Sequence, residues 1–215
     1  MVAEILYEGD SYEEIVDDIQ RQDLRTIGPG EWLNDKVMQY YLNLIARRSE
    51  ENPDLAYPRC HAFGTHFYTL LSKSGRGYDY ARVKSWTRKV DIFHMDVLIV
   101  PMHLGNHWTM AVIHPQRAHI DYYDSLGGRC AGVQILQRWL QDEHKTKMQR
   151  ELEGPVTHTY HDDIPQQNNG YDCGVFACHF AECAGRGSSI DFSQSDMPYF
   201  RKRMILEIMN KKIAL

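Results

Sequence analysis

Cys173 lies in QQNNGYDCGVFACHF, residues 166–180, where a polar run containing Gly170 gives way to apolar residues. A thiol at the junction of a loop and a helix start is placed for nucleophilic chemistry. Unpaired N–H groups of the first turn and the positive end of the helix dipole both favour thiolate over thiol. Gly170 and Gly174 would let backbone approach closely. The competing reading is a small buried hydrophobe, the commoner state of an intracellular cysteine. The stretch implies catalysis only with partners.

A cysteine nucleophile gains most from an imidazole that takes its proton and returns it to a leaving amine. Of the 11 histidines, His107 is the best placed: it follows Gly105 and Asn106 and opens an apolar strand, so its ring can face a cleft while the strand anchors it. Taken alone it reads equally well as a solvated strand-end residue. Orientation and tautomer then require a carboxylate. Asp124, which ends the strand IDYY, can reach a histidine on an adjacent strand, although Asp also initiates turns without any chemistry. Asp121 competes, but alternation sends it to the opposite face. For the developing oxyanion, Gln167 can offer a side-chain N–H beside the backbone N–H of Cys173. One such donor is worth on the order of 100-fold to 1000-fold in rate. Gln166 is its rival.

Metal chemistry fits less well. Cys173, Cys178 and Cys183 diverge around a helix, at about 100° per residue, instead of converging on an ion. His158, His161, Asp162 and Asp163 read as a polar strand-to-loop junction. No metal site, phosphate-binding loop or dinucleotide fingerprint is expected.

These side chains need a scaffold. Residues 96–104, 107–115 and 118–126 read as three closely spaced strands, rich in β-branched and aromatic residues, and the short connections make them antiparallel neighbours. Ahead of them, Asn34 can cap a helix carrying Val37, Tyr40, Tyr41, Leu44 and Ile45 on one face and ending near Arg47 and Arg48. A shorter helix is expected over 65–71. Further on, Val133, Leu136 and Leu140 mark a helix, 156–161 another strand, and 173–183 a helix with Phe176, Phe180 and Cys183 along one stripe. Pro198 suits the first turn of a final helix with Phe200, Met204 and Ile208 on a common face. Turns or loops are expected at 28–30, 50–58, 75–77 and 185–189. The sum is an α+β domain with helices packed around a central sheet.

At 215 residues, with 43% hydrophobic and 25% charged residues, the chain can bury a substantial core and reads as one domain. A net charge of -5 leaves no broad basic field for nucleic acid; the run Arg201, Lys202, Arg203 reads as a solvated helix face. Neither a secretory signal nor an apolar run of the ~20 residues of a membrane span is visible. The protein is therefore expected inside the cell, with Cys60, Cys130, Cys173, Cys178 and Cys183 as free thiols.

In order along the chain, HLGNHW, YYDSLGG and QQNNGYDCGVF resemble the histidine, aspartate and glutamine-cysteine motifs of the Ulp/SENP family of cysteine proteases, which act on the ubiquitin-like modifier SUMO. EWLND (31–35), VKSWTRKVDIF (83–93) and MPYFRKRM (197–204) extend the resemblance from about Ile19 to the C-terminus, residues 1–18 being an N-terminal extension. It implies a papain-like α+β fold with a central mixed sheet, Cys173 as nucleophile, His107 as general base and acid, Asp124 as orienting carboxylate and Gln167 as oxyanion donor. It further implies that Trp32 and Trp108 form a tunnel over the modifier's C-terminal Gly-Gly and that Asp35 helps hold the modifier's body. Ser85 departs from the family, which often has a basic residue before Trp86.

The resemblance implies a thiol protease that cleaves after the Gly-Gly of SUMO, in isopeptide conjugates and in precursors. SUMO and its conjugates would be its partners, with no cofactor. A monomer and a nuclear or nuclear-envelope location, extending to the cytoplasm, are expected. A protease for a Nedd-type modifier is the nearest enzymatic rival, and a catalytically silent SUMO-binding module is the rival of another class. SUMO paralogue, the balance of maturation against deconjugation, and cellular targets are not encoded legibly.

Overall fold

The computed structural model describes residues 2–52 and 54–214. The chain opens with α1 (Val2–Tyr7), an antiparallel pair β1 (Glu14–Val16) and β2 (Ile19–Gln20), and α2 (Arg21–Arg25), elements too short to leave a periodic signal. The next helix, α3 (Asp35–Glu51), begins where expected: Asn34 Oδ1 accepts the Val37 N–H at 2.9 Å, a cap worth about 1 kcal/mol. Val37, Tyr41, Leu44 and Ile45 are buried, whereas Tyr40 is half-buried and donates its hydroxyl to Asp17. The helix does not stop at Arg48. That guanidinium is buried and pairs with Glu182 at 2.5 Å, so it serves a tertiary contact instead of the helix terminus.

Next come β3 (Cys60–Ala62), α4 (Phe67–Leu71), β4 (Val97–His103), β5 (Trp108–His114), β6 (His119–Tyr123), α5 (Gly132–Met148), β7 (Thr157–Tyr160), α6 (Cys173–Arg186) and α7 (Met197–Met209). The last five strands form one sheet in the order β3-β4-β5-β6-β7. Its three middle strands are antiparallel, as their short connections require, and both edge strands join in parallel. The class is α+β with a mixed central sheet, as expected.

Successive strand residues point to opposite faces, and here both faces are covered. Val97, Ile99, Met110 and Val112 pack with residues of α3 and α6, while Leu98, Val100, Ala111 and Ile113 pack with Phe67, Leu136 and Trp139 of α4 and α5. Burial on both faces makes these strands read as nearly continuous apolar runs. Helix α6 lies inside the molecule: every residue from Cys173 to Cys183 is buried, so the expected single stripe was too narrow. It also runs on to Arg186, with Gly187 taking the left-handed conformation (φ 70°) that ends it.

In α7, Met204 and Ile208 are buried and Phe200 stacks on His179 with ring centroids 3.5 Å apart. The run Arg201, Lys202, Arg203 is not one solvated face. Lys202 is exposed, Arg203 bonds Glu207, and Arg201 is only 5% exposed because it turns inward to Asp172.

Candidate active site

Two turns bring distant residues to one end of the sheet. Gly105 takes φ 86° and the Leu104 N–H donates to the His107 carbonyl at 2.8 Å, closing the β4–β5 turn just ahead of β5. Asp124 follows β6, and the register Met110↔Tyr123 places the start of β5 beside the end of β6. His107 Nε2 consequently lies 2.7 Å from Asp124 Oδ1. The Leu126 N–H holds the same oxygen at 2.8 Å. A Cβ on Gly128 would sit 2.5 Å from Asp124 Oδ2, so only glycine leaves room for this carboxylate. Asp121 is engaged elsewhere, with His114 at 3.0 Å and His161 at 2.7 Å.

Cys173 opens α6 and is 4% exposed. Burial alone would push its thiol pKa up, but the hydrogen bond and charge of His107, with the backbone N–H groups of Trp108 and Gly174, outweigh burial and bring it below the ordinary thiol value. Burial likewise pulls His107 down, and its bonds and charge interactions with Asp124 and Cys173 more than reverse this, raising it to about 9. Asp124 completes the pattern: burial raises it, while His107 and the N–H groups of Leu126 and Gly128 hold it below the carboxylate norm. Because Nε2 is committed to Asp124, Nδ1 is the ring nitrogen left to face the sulfur. The arrangement can carry a thiolate–imidazolium pair oriented by a carboxylate.

Gln167 is buried and clamped. Its Oε1 accepts from Ser125 Oγ at 2.6 Å, its Nε2 donates to the Asn169 carbonyl at 2.6 Å, and its backbone N–H donates to the Ser125 carbonyl at 2.8 Å. One Nε2 hydrogen stays uncommitted. Gln166 is exposed, with its amide against Gly127. Ser125 was not singled out in the sequence, where it reads as part of a turn.

Gly174 does meet close packing, since a Cβ there would lie 3.0 Å from Leu33 Cβ; Gly170 faces open space. Next to Leu33, Trp32 is 53% exposed. The Trp108 ring lies 4.5 Å from that of His103, whose pKa burial pulls below the ordinary imidazole value. Asp35, at the start of α3, faces His66 at 3.4 Å and lines a groove of about 580 Å³ with Gln39, Thr65 and Trp86. The other histidine cluster splits: His161 turns to Asp121 and Asp162 pairs with Arg129 at 2.7 Å. Among the described residues, no group of three His, Cys, Asp or Glu is arranged to hold a metal ion.

The model of the Ulp1 protease family, C-terminal catalytic domain, matches residues 31–213. The chain belongs to the Ulp1 protease family. A Sentrin-specific protease of Caenorhabditis elegans is 44% identical over 211 residues, covering 95% of this chain and 29% of that protein. Sentrin-specific protease 2 of Homo sapiens is 38% identical over 200 residues, covering 91% of this chain and 33% of that protein. The chain thus spans about a third of the length of these curated relatives. Among solved structures, the C-terminal Ulp1 protease domain in complex with Smt3, the yeast orthologue of SUMO, superposes with a TM-score of 0.81 at 27% identity, over 98% of this chain and 92% of that one. A structure of Ulp1 with its catalytic cysteine oxidised to a sulfinic acid gives 0.80 at 27% identity, over 99% and 94%. Ser85 is exposed and precedes Trp86, whose ring packs over Gly64.

Proposed function

We propose that this chain is a cysteine protease that cleaves after the C-terminal Gly-Gly of SUMO, acting on isopeptide bonds to lysine and on precursor peptide bonds. The observation that carries the reading is the meeting of Cys173, His107 and Asp124, from three separate segments, in a chain of the Ulp1 family. The names of its relatives and the Smt3 complex of a similar structure support SUMO as the modifier.

In this mechanism the Cys173 thiolate attacks the glycine carbonyl carbon and a C–S bond forms. The resulting oxyanion accepts from the free Nε2 hydrogen of Gln167 and from the Cys173 backbone N–H, one of the first-turn donors with no intrahelical partner. His107 gives its Nδ1 proton to the departing amine as the C–N bond breaks. It then takes a proton from water, whose oxygen displaces the sulfur and releases the modifier's carboxylate. Trp32 and Trp108 act as the flat walls past which only a glycine backbone fits, and Asp35 with its groove receives the globular body of SUMO. A nuclear or nuclear-envelope location belongs to the same reading. No helix among the described residues is long and apolar enough to cross a membrane.

The test is side-by-side reaction of the chain with C-terminal electrophilic probes of SUMO, a Nedd-type modifier and ubiquitin. Labelling of Cys173 by the SUMO probe is expected. Labelling only by another probe would replace the substrate, and SUMO binding without labelling would make the chain a silent binding module. Cys173→Ser is expected to lose turnover and keep SUMO binding.

A further inference from the structure

We propose that Arg201 is a positioning residue that ties the Trp32 segment to the Cys173 loop, so that the wall over the substrate's C-terminus and the nucleophile keep a single geometry. The inference rests on the SUMO-protease reading of the site. Arg201 comes from α7 and is buried. Its Nη1 donates to the carbonyls of Ile27 at 3.2 Å and Gly28 at 2.8 Å. Nη2 donates to the Glu31 carbonyl at 3.0 Å, the Tyr171 carbonyl at 3.2 Å and Asp172 Oδ1 at 2.7 Å, and Nε donates to that same carboxylate oxygen at 3.0 Å. One guanidinium therefore binds the chain immediately before Trp32 and immediately before Cys173.

The tie continues through Asp172. Its Oδ2 accepts from Asn169 Nδ2 and Gln194 Nε2, both at 2.8 Å, and the Asn169 carbonyl is the acceptor that holds Gln167. Trp32 is bracketed by two such contacts: Glu31 is held by Arg201, and Leu33 packs on Gly174 at the start of α6. Residues 27–31 belong to no helix or strand; within them the Glu31 N–H reaches the Gly28 carbonyl at 3.3 Å, and Arg201 adds shorter bonds to the Gly28 and Glu31 carbonyls. A planar fork with five N–H donors can hold several carbonyls and a carboxylate at once, whereas an ammonium has three donors and no plane. Stability gives no reason for the pair, because the desolvation cost of a buried ion pair largely offsets its attraction. Holding two walls in register does.

Arg201→Lys keeps the charge and removes the fork. In the folded variant, assayed well below its unfolding midpoint, kcat on a SUMO C-terminal reporter is expected to fall on the order of 100-fold, the scale of a small misplacement of reacting groups. SUMO affinity, measured in the Cys173→Ser background, should stay within about threefold of its parent, since the modifier's body binds elsewhere. Wild-type kcat in the folded variant, or a loss of affinity equal to the loss of kcat, would overturn the proposal. Iodoacetamide alkylation of Cys173 at neutral pH needs no SUMO and should slow several-fold as the His107 pairing loosens. If the wild-type chain turns over no SUMO reporter, the substrate reading fails, and alkylation alone decides Arg201: a wild-type rate in the variant overturns it. Should Arg201→Lys not fold, the isosteric Asp172→Asn takes its place, with the same expected loss of kcat at unchanged affinity and the same overturning results.

Discussion

His107 Nε2 and Asp124 Oδ1 lie 2.7 Å apart, a contact made by the residue before one strand and the residue after its antiparallel neighbour. The carboxylate commits Nε2, which leaves Nδ1 for the sulfur and favours the charged imidazole. Asp124→Asn keeps the size and removes that charge. We expect kcat to fall by a factor on the order of 10³ to 10⁴, as when the carboxylate of a Ser-His-Asp triad becomes an amide. Steady-state rates on a SUMO reporter measure it; a loss of less than about tenfold would mean that the carboxylate does not orient the imidazole.

The room for that carboxylate is set by a residue with no side chain. A Cβ at Gly128 would meet Asp124 Oδ2 at 2.5 Å, and the carboxylate is the group free to yield. Gly128→Ala should therefore cost activity on the order of 10-fold to 100-fold through displacement of Asp124 and His107. Circular dichroism and thermal melts should remain close to wild type, which separates this effect from unfolding. Full activity would show that the carboxylate can shift without consequence.

Thiol titration gives a test with no substrate. Burial pushes the Cys60 thiol up to about 12 and raises Cys178 and Cys183 as well, whereas Cys173 lies below the ordinary value because His107 outweighs burial. Iodoacetamide at neutral pH should consequently modify Cys173 ahead of those three, as read by mass spectrometry. In His107→Gln burial is left to dominate, and the inflection of the alkylation rate should move to higher pH. For turnover the signs are opposite on the two limbs: the rate rises as pH climbs through the Cys173 pKa and falls as it passes about 9, where His107 loses the proton needed by the leaving amine. An inflection that His107→Gln leaves in place would separate the sulfur from the imidazole.

The meeting of His107 and Asp124 is legible in the sequence because it depends on local signals: three apolar runs with β-branched residues and short turns force antiparallel neighbours, and strand ends then coincide. Arg201 is not legible. Its acceptors at Ile27, Gly28 and Glu31 lie at the far end of the chain, and a basic run on a helix carries only a local charge pattern, which solvent explains equally well. The same limit hides β3, whose three residues pair with β4 in parallel and are too few to show a period. Helix α6 is a different case. Its stripe could be read, but covering by the sheet, α3 and α7 buries the remaining faces, and that covering is a tertiary fact.

Ser125 separates the two glutamines. Gln167 is held at both ends of its amide, by Ser125 Oγ on the oxygen and by the Asn169 carbonyl on the nitrogen, while Gln166 is exposed. An amide fixed in this way is pre-set as a donor and need not reorganise when the oxyanion forms, which is where such donors gain their effect. Gln167→Ala should lower kcat on the order of 100-fold to 1000-fold with little change in SUMO affinity, and Gln166→Ala should leave it within about threefold. Ser125→Ala keeps the glutamine but frees its oxygen end, so the amide can rotate and present oxygen to the oxyanion part of the time. An intermediate loss, about tenfold, follows from that partial occupancy. Equal losses for the two glutamines would assign the donor wrongly, and a wild-type rate in Ser125→Ala would show that the Asn169 carbonyl holds the amide alone.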